Sequence, residues 1–266
     1  MPYETIQTRV ERSAFVIELH RPDRRNAVSE RMMDEIIQAC EEAGGRKEVA
    51  AIILTGGDAY FSAGADLTEA FQVKSAQQGR RYFSHWHRLN DAIEQSTKPV
   101  LAAIEGFCMT GGLELALAAD LRIASENATF AITSARIGTV AGAGGTQRLP
   151  RVVGLSNALD MLFAAEPIDS AEALRIGLIN RRVANGSTLA TALKMADHYA
   201  TRAPLALSAA ERAQRLQQAE DVVDRAAQVE ADIGRDLVIA RAAGVQALAR
   251  VTDQLGQSDR KSTRLN

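Results

Sequence analysis

Apolar positions along the first half of the chain change period repeatedly. Val16, Ile17 and Leu19 form a strand-like run that ends at Arg21-Pro22-Asp23, after which Met33, Ile36, Ile37 and Cys40 recur at helical spacing behind Ser29, a suitable helix cap. Residues 50–55 are a continuous apolar run of strand length closed by Gly56-Gly57, the pattern of a central strand covered on both faces. Residues 75–95 read as a polar-faced helix and residues 99–104 as a second buried strand, and Gly111-Gly112 opens an apolar helix through Leu113, Leu115, Ala116 and Leu117. The repeating unit of strand, glycine-rich loop and helix predicts an α/β fold. From about residue 187 the strand signal stops. Alanine-rich amphipathic segments then run to about residue 255, predicting an all-helical C-terminal part with a helix boundary at Ala203-Pro204. Residues 256–266 are polar and aperiodic and are expected to fray.

Composition narrows the partners. The chain has 266 residues, 46 % hydrophobic and 24 % charged, which suits one large globular unit with or without an appendage. Lys plus Arg is 31 against 33 for Asp plus Glu, and no basic run reaches five residues, so nucleic acid is not an expected partner. No stretch approaches the roughly 18 uninterrupted apolar residues of a membrane span, and the N-terminus enters a strand pattern directly. A cytoplasmic chain without a membrane segment is therefore expected. Cys40 and Cys108 both lie in apolar stretches, as reduced buried thiols do.

Chemistry is sought where glycine meets a helix start, because unpaired backbone N–H groups there can face an anion. Three segments qualify: Phe61-Ser62-Ala63-Gly64-Ala65-Asp66-Leu67, the run from Gly106 through Gly111-Gly112 to Glu114, and the cluster from Gly142 to Pro150. The second has the outer glycine spacing of a P-loop, yet Gly112 and Leu113 stand where Lys and Ser/Thr are required. The third lacks the last glycine of the dinucleotide fingerprint, with Gln147 in its place. There is no Gly-x-Ser-x-Gly elbow, and His20, His85, His87 and His198 show no metal-ligand spacing beyond a lone His-x-His on a predicted helix. No metal is expected.

Arg21-Pro22 with Asn26-Ala27-Val28, the 61–67 loop, Gly111-Gly112-Leu113-Glu114-Leu115-Ala116 with Asp120-Leu121-Arg122-Ile123-Ala124, and the 142–150 cluster together resemble the crotonase superfamily, the enoyl-CoA hydratase/isomerase family. The resemblance implies a spiral of strand-strand-helix turns over residues 1–200 that carries an acyl-CoA site. It also implies a helical trimerisation part over 201–255, with trimers often paired into hexamers. The substrate implied is a coenzyme A thioester, with no separate cofactor. Its carbonyl oxygen would lie between the N–H groups of Ala63 and Gly111, an oxyanion hole that suits a developing enolate. Arg25 would approach the phosphates of coenzyme A, the backbone around Ser62 and Ala65 would receive its adenine, and Gly112 would allow close approach of the ligand. Asp66 is assigned to the same loop, with capping of the following helix the stronger reading.

Hydratases of this family use two glutamates around a water. Glu114, three residues after Gly111, matches the first, but Ser134 occupies the place of the second. A serine hydroxyl can orient a water yet cannot shuttle a proton at neutral pH unaided. A hydratase working through Glu114 is therefore set beside enoyl-CoA isomerisation, decarboxylation of a malonyl-type thioester with Thr133 or Ser134 holding the carboxylate, and a weakly active protein that only binds the ester. Acyl-chain preference is expected to depend on the 68–90 stretch that includes Phe71, Tyr82, Phe83 and Trp86.

Overall fold

The structure, a computed structural model, describes residues 3–203 and 206–208. Strands are β1 (Ile6–Glu11), β2 (Ala14–Leu19), β3 (Ala51–Thr55), β4 (Val100–Ile104), β5 (Phe107–Met109), β6 (Leu121–Ser125), β7 (Thr129–Ala131), β8 (Ile168–Asp169) and β9 (Arg181–Val183). Helices are α1 (Glu30–Gly45), α2 (Leu67–Ala70), α3 (Ala76–Glu94), α4 (Gly111–Ala118), α5 (Gly145–Val153), α6 (Leu155–Ala164), α7 (Ser170–Arg175) and α8 (Thr188–Ala200). The mixed α/β class expected from the sequence is the one observed. Nearly all of the predicted helical part at 201–255, and the whole 256–266 tail, lie outside the described residues.

Six strands form one sheet in the order β1-β2-β3-β4-β6-β9, antiparallel at the β1/β2 hairpin and parallel thereafter. Its central strands are buried throughout because both faces are covered. Successive side chains point to opposite faces, so Phe15, Ile17, Ile52, Leu54, Val100 and Ala102 enter the larger core with α1 and α3. The alternate set, Val16, Ile53, Leu101, Ala103 and Ile123, meets Ala192, Leu193 and Ala196 of α8. Helix α1 begins where Ser29 Oγ accepts the Met32 N–H at 3.2 Å, and it buries Met32, Met33, Ile36, Ala39 and Cys40. Each such large side chain contributes about 1.5–3 kcal/mol by leaving water.

A second, smaller sheet in the order β5-β7-β8 stands beside the first. Its strands have three, three and two residues, too short to announce themselves by alternation. It nevertheless sets the site, because β5 lies between the 61–66 loop on one side and β7 on the other. Ser62 bridges Cys108 in parallel fashion, and Phe107, Cys108 and Met109 pair with Thr129, Phe130 and Ala131.

Candidate active site

The 61–66 loop is fixed from both ends. Asn26 Nδ2 donates to the carbonyls of Gly56 (3.0 Å) and Phe61 (3.2 Å), and its Oδ1 accepts the Arg21 N–H at 2.9 Å. Ser62 is fully buried; its Oγ donates to the Asn26 carbonyl at 2.7 Å and accepts the Gly64 N–H at 3.1 Å. Its main chain is equally occupied, since its carbonyl accepts the Met109 N–H and its N–H donates to the Phe107 carbonyl. Val28 and Ala65 then form a parallel bridge made through the Gly64 carbonyl and the Asp66 N–H. In that geometry the bridging residue's own N–H faces the other way. The Ala65 amide is thus turned from Val28, and no acceptor among the described residues takes it.

Its nitrogen lies close to Gly111. A Cβ on Gly111 would stand 2.9 Å from Ala65 N and 3.0 Å from the Trp86 ring, so only glycine lets the two loops come this close. Gly111 is the first residue of α4, and its N–H likewise meets no acceptor among the described residues. The helix dipole adds partial positive charge at this end. Thr110, just before it, has φ 45° and ψ −112°, a region that a β-branched residue occupies only under strain, at a cost of about 1–3 kcal/mol. Its N–H donates to the Ala131 carbonyl at 2.7 Å, and its hydroxyl lies 2.8 Å from Thr133 Oγ1 and accepts the Thr133 N–H at 3.2 Å.

The structure corrects three expectations and bears out a fourth, the capping by Asp66. The Ala63 N–H donates to the Arg25 carbonyl at 3.0 Å and cannot serve as the oxyanion donor; Ala65, assigned to the adenine, supplies the amide that lies close to Gly111. Both donors of Ser62, its hydroxyl and its N–H, are taken inside the fold, so it has no hydrogen to give coenzyme A. Asp66 caps α2 through the Thr68 N–H at 2.9 Å, as the stronger reading expected, and pairs with Arg21 at 2.9 Å. Burial pushes against its charge, but these bonds hold its carboxyl below the usual range. Gly112 is glycine because a Cβ there would stand 2.6 Å from that of Ser62, a packing need rather than a ligand's. Arg25 is exposed, with φ 50°.

Glu114 lies one turn into α4 and is 3 % exposed. Burial lifts its carboxyl to about 7, outweighing the opposing N–H groups of Gly145 and Ala143 and the Arg148 charge. Its Oε1 accepts the Gly145 N–H at 2.9 Å, so the 142–150 cluster is the carboxyl's seat. That seat is held against α3, where Asn90 Nδ2 donates to the Ala143 carbonyl at 2.6 Å and Arg148 forks onto Glu94 at 2.6 and 2.7 Å. Ser134 follows Thr133 and is also 3 % exposed, yet its hydroxyl has no hydrogen-bond partner among the described residues. From the 68–90 stretch, Trp86 packs on Gly111 and the Phe83 ring lies against Gly142, whereas Phe71 is turned outward. Sequence reasoning missed Thr110, whose signal is a β-branched residue directly before a glycine-opened helix. Burial raises both thiols, Cys40 to about 12, so neither is a nucleophile here.

Comparison with known proteins gives the family. The family model described as enoyl-CoA hydratase/isomerase matches residues 9–247. Over 233 residues the chain is 37 % identical to a crotonyl-CoA hydratase of Syntrophomonas wolfei, covering 87 % of this chain and 89 % of that one. Among solved structures, an enoyl-CoA hydratase/isomerase family protein from Hyphomonas neptunium is 37 % identical with a TM-score of 0.78, covering 81 % and 83 % of the two chains. An enoyl-CoA hydratase from Bacillus anthracis is 28 % identical with a TM-score of 0.74 and 97 % of each chain covered.

Proposed function

Because the chain belongs to the enoyl-CoA hydratase/isomerase family, we propose that it adds water across the 2,3 double bond of an enoyl-coenzyme A thioester, using Glu114 as its one acid/base group. The carrying observation is the close approach of two amides without acceptors among the described residues, Ala65 and Gly111, at the start of the helix that carries a buried carboxyl held near neutrality. The thioester oxygen takes hydrogen bonds from both N–H groups. As the water oxygen bonds to the β carbon, the Glu114 carboxylate removes one water proton, and the π electrons move onto the thioester oxygen as an enolate. Protonated Glu114 then returns that proton to the α carbon as the carbonyl re-forms, so atoms and charge balance and the carboxylate is regenerated. Each amide donor contributes about 3–4 kcal/mol to the enolate-like state. Ser134, with its hydrogen-bonding capacity unused, holds the water, and exposed Arg25 meets the phosphates of coenzyme A. Coenzyme A arrives as part of the substrate.

The test is to mix the protein with crotonyl-CoA and follow the enoyl-thioester absorbance. Loss of the signal is expected, and Glu114→Gln is expected to slow it on the order of 10³-fold. A protein that binds butyryl-CoA but leaves crotonyl-CoA untouched refutes the hydratase reading.

Self-association as a trimer or hexamer is proposed with it. Leu155, Leu159 and Phe163 recur four residues apart on α6 with exposures of 65, 37 and 76 %, an apolar stripe that a second copy would cover. Light scattering is expected to give a trimer or larger; a monomer refutes it. No helix among the described residues is long and apolar enough to cross a membrane, which is compatible with the cytoplasmic placement proposed here.

A further inference from the structure

We propose that Thr110 and Thr133 form a clamp that aims the Gly111 amide, making both of them positioning residues for the hydration proposed above, on which this inference rests. The torsion ψ of Thr110 rotates the peptide plane that carries the Gly111 N–H, so the direction of that donor is decided at Thr110. The value there, −112° with φ at 45°, is one a threonine does not keep by preference. Three contacts keep it: Thr110 N–H to the Ala131 carbonyl, the two hydroxyls at 2.8 Å, and the Thr133 N–H on Thr110 Oγ1. All three come from residues 131–133, directly before Ser134.

Losing the Thr133 hydroxyl leaves the strained residue with two of its three ties. Relaxation of its φ swings the 110–111 peptide and turns the Gly111 N–H away from the Ala65 N–H. The same pair fixes the distance between the oxyanion donors and the Ser134 turn, because Thr133 carries Ser134 on its next bond. Sequence reasoning placed Thr133 against the substrate; the observed hydroxyl is turned to Thr110 instead.

The experiment is a double-mutant cycle with two readouts, steady-state hydration of crotonyl-CoA and the infrared carbonyl stretch of bound butyryl-CoA, which cannot be hydrated. Thr133→Val is expected to lower kcat about tenfold with KM changed by less than about twofold, and to return the stretch part way to its value in water. Thr133→Ser keeps both at wild-type values. In a Thr110→Gly background, Thr133→Val has no further effect, because glycine occupies positive φ without a clamp. Equal losses in both backgrounds overturn the proposal, as does a Thr133→Val protein with wild-type kcat and stretch. Should that variant not fold, the Thr110→Gly, Thr133→Val protein decides: a wild-type stretch supports the clamp and a lost shift overturns it. A wild-type protein that leaves the stretch of bound butyryl-CoA unshifted refutes the hydratase reading itself, whereas a shifted wild type with an equally shifted Thr133→Val refutes the clamp alone.

Discussion

Two buried serines mark the two sides of the site. Ser62 is 0 % exposed and satisfied at its hydroxyl, N–H and carbonyl; Ser134 is 3 % exposed and its hydroxyl has no partner among the described residues. The first belongs to a loop in which nearly every polar group is consumed by the fold, leaving one amide, Ala65, for a ligand. The second follows Thr133, the partner of strained Thr110, and keeps an unused hydroxyl, while Glu114, one turn into α4, keeps a carboxyl near neutrality. Burial alone therefore does not distinguish scaffold from chemistry. The state of the hydrogen bonds separates these two serines, since an unpaired buried polar group costs about 1–3 kcal/mol, a state that Ser134 shares with Tyr82 Oη and Asn90 Oδ1 among the described residues.

The largest test of this division is at Glu114. The folded protein raises its pKa from 4.5 to about 7, so between those values the folded state holds the proton that the unfolded state has lost. Stability contributed by this group is therefore present at low pH and is lost as pH rises toward and through 7. Glu114→Gln keeps an acceptor for the Gly145 N–H and removes the buried charge. Beyond the loss of hydration, it is expected to stabilise the fold by under ~1 kcal/mol at pH 5 and by ~3 kcal/mol at pH 8, read from denaturant unfolding at both values. In the active protein, Glu114 must be ionised to take the water proton, so kcat/KM is expected to rise with pH and level off above about 7. A profile that falls through this range reverses the order of proton steps.

Much of this was legible in the sequence, and the part that was not has a physical reason. The apolar runs of β2, β3 and β4, the Ser29 cap of α1 and the glycine-opened α4 all follow from local pattern. Glu114 follows from the family resemblance, as the match to the first of its two glutamates. The 61–66 loop was recognised as a donor loop, but Ala63 was taken for Ala65, because which amide faces inward depends on the Val28 and Arg25 partners 36 to 38 residues earlier in the chain. Thr110 escaped for a similar reason. Its contacts are to Ala131, the last residue of the three-residue strand β7, and to Thr133 just beyond it, where no periodicity can be detected.

Ser62 gives the next test, with an effect on stability more than on chemistry. Ser62→Ala leaves the Asn26 carbonyl and the Gly64 N–H without their partner inside the protein. A loss of about 2–3 kcal/mol in unfolding free energy is expected, with kcat reduced less than about tenfold because Ala65 retains its bridge to Val28. An unchanged melting temperature would mean that the 61–66 loop is held by Asn26 and β5 alone.

The same substitution at Ser134 should act in the opposite sense. Removing a buried hydroxyl that has no partner takes away a desolvation cost without breaking a bond, so Ser134→Ala is expected to leave stability unchanged or raise it by up to about 1 kcal/mol. Its activity should nevertheless fall about tenfold in kcat, the value of one hydrogen bond to the water in the transition state. Placing a carboxylate there instead, Ser134→Glu, should raise hydration if a second proton-transfer group is what this site lacks. The pair of measurements on Ser134→Ala separates the two roles: a protein that is less stable and fully active would make Ser134 a second Ser62, and the water would then have to be held by Glu114 without it.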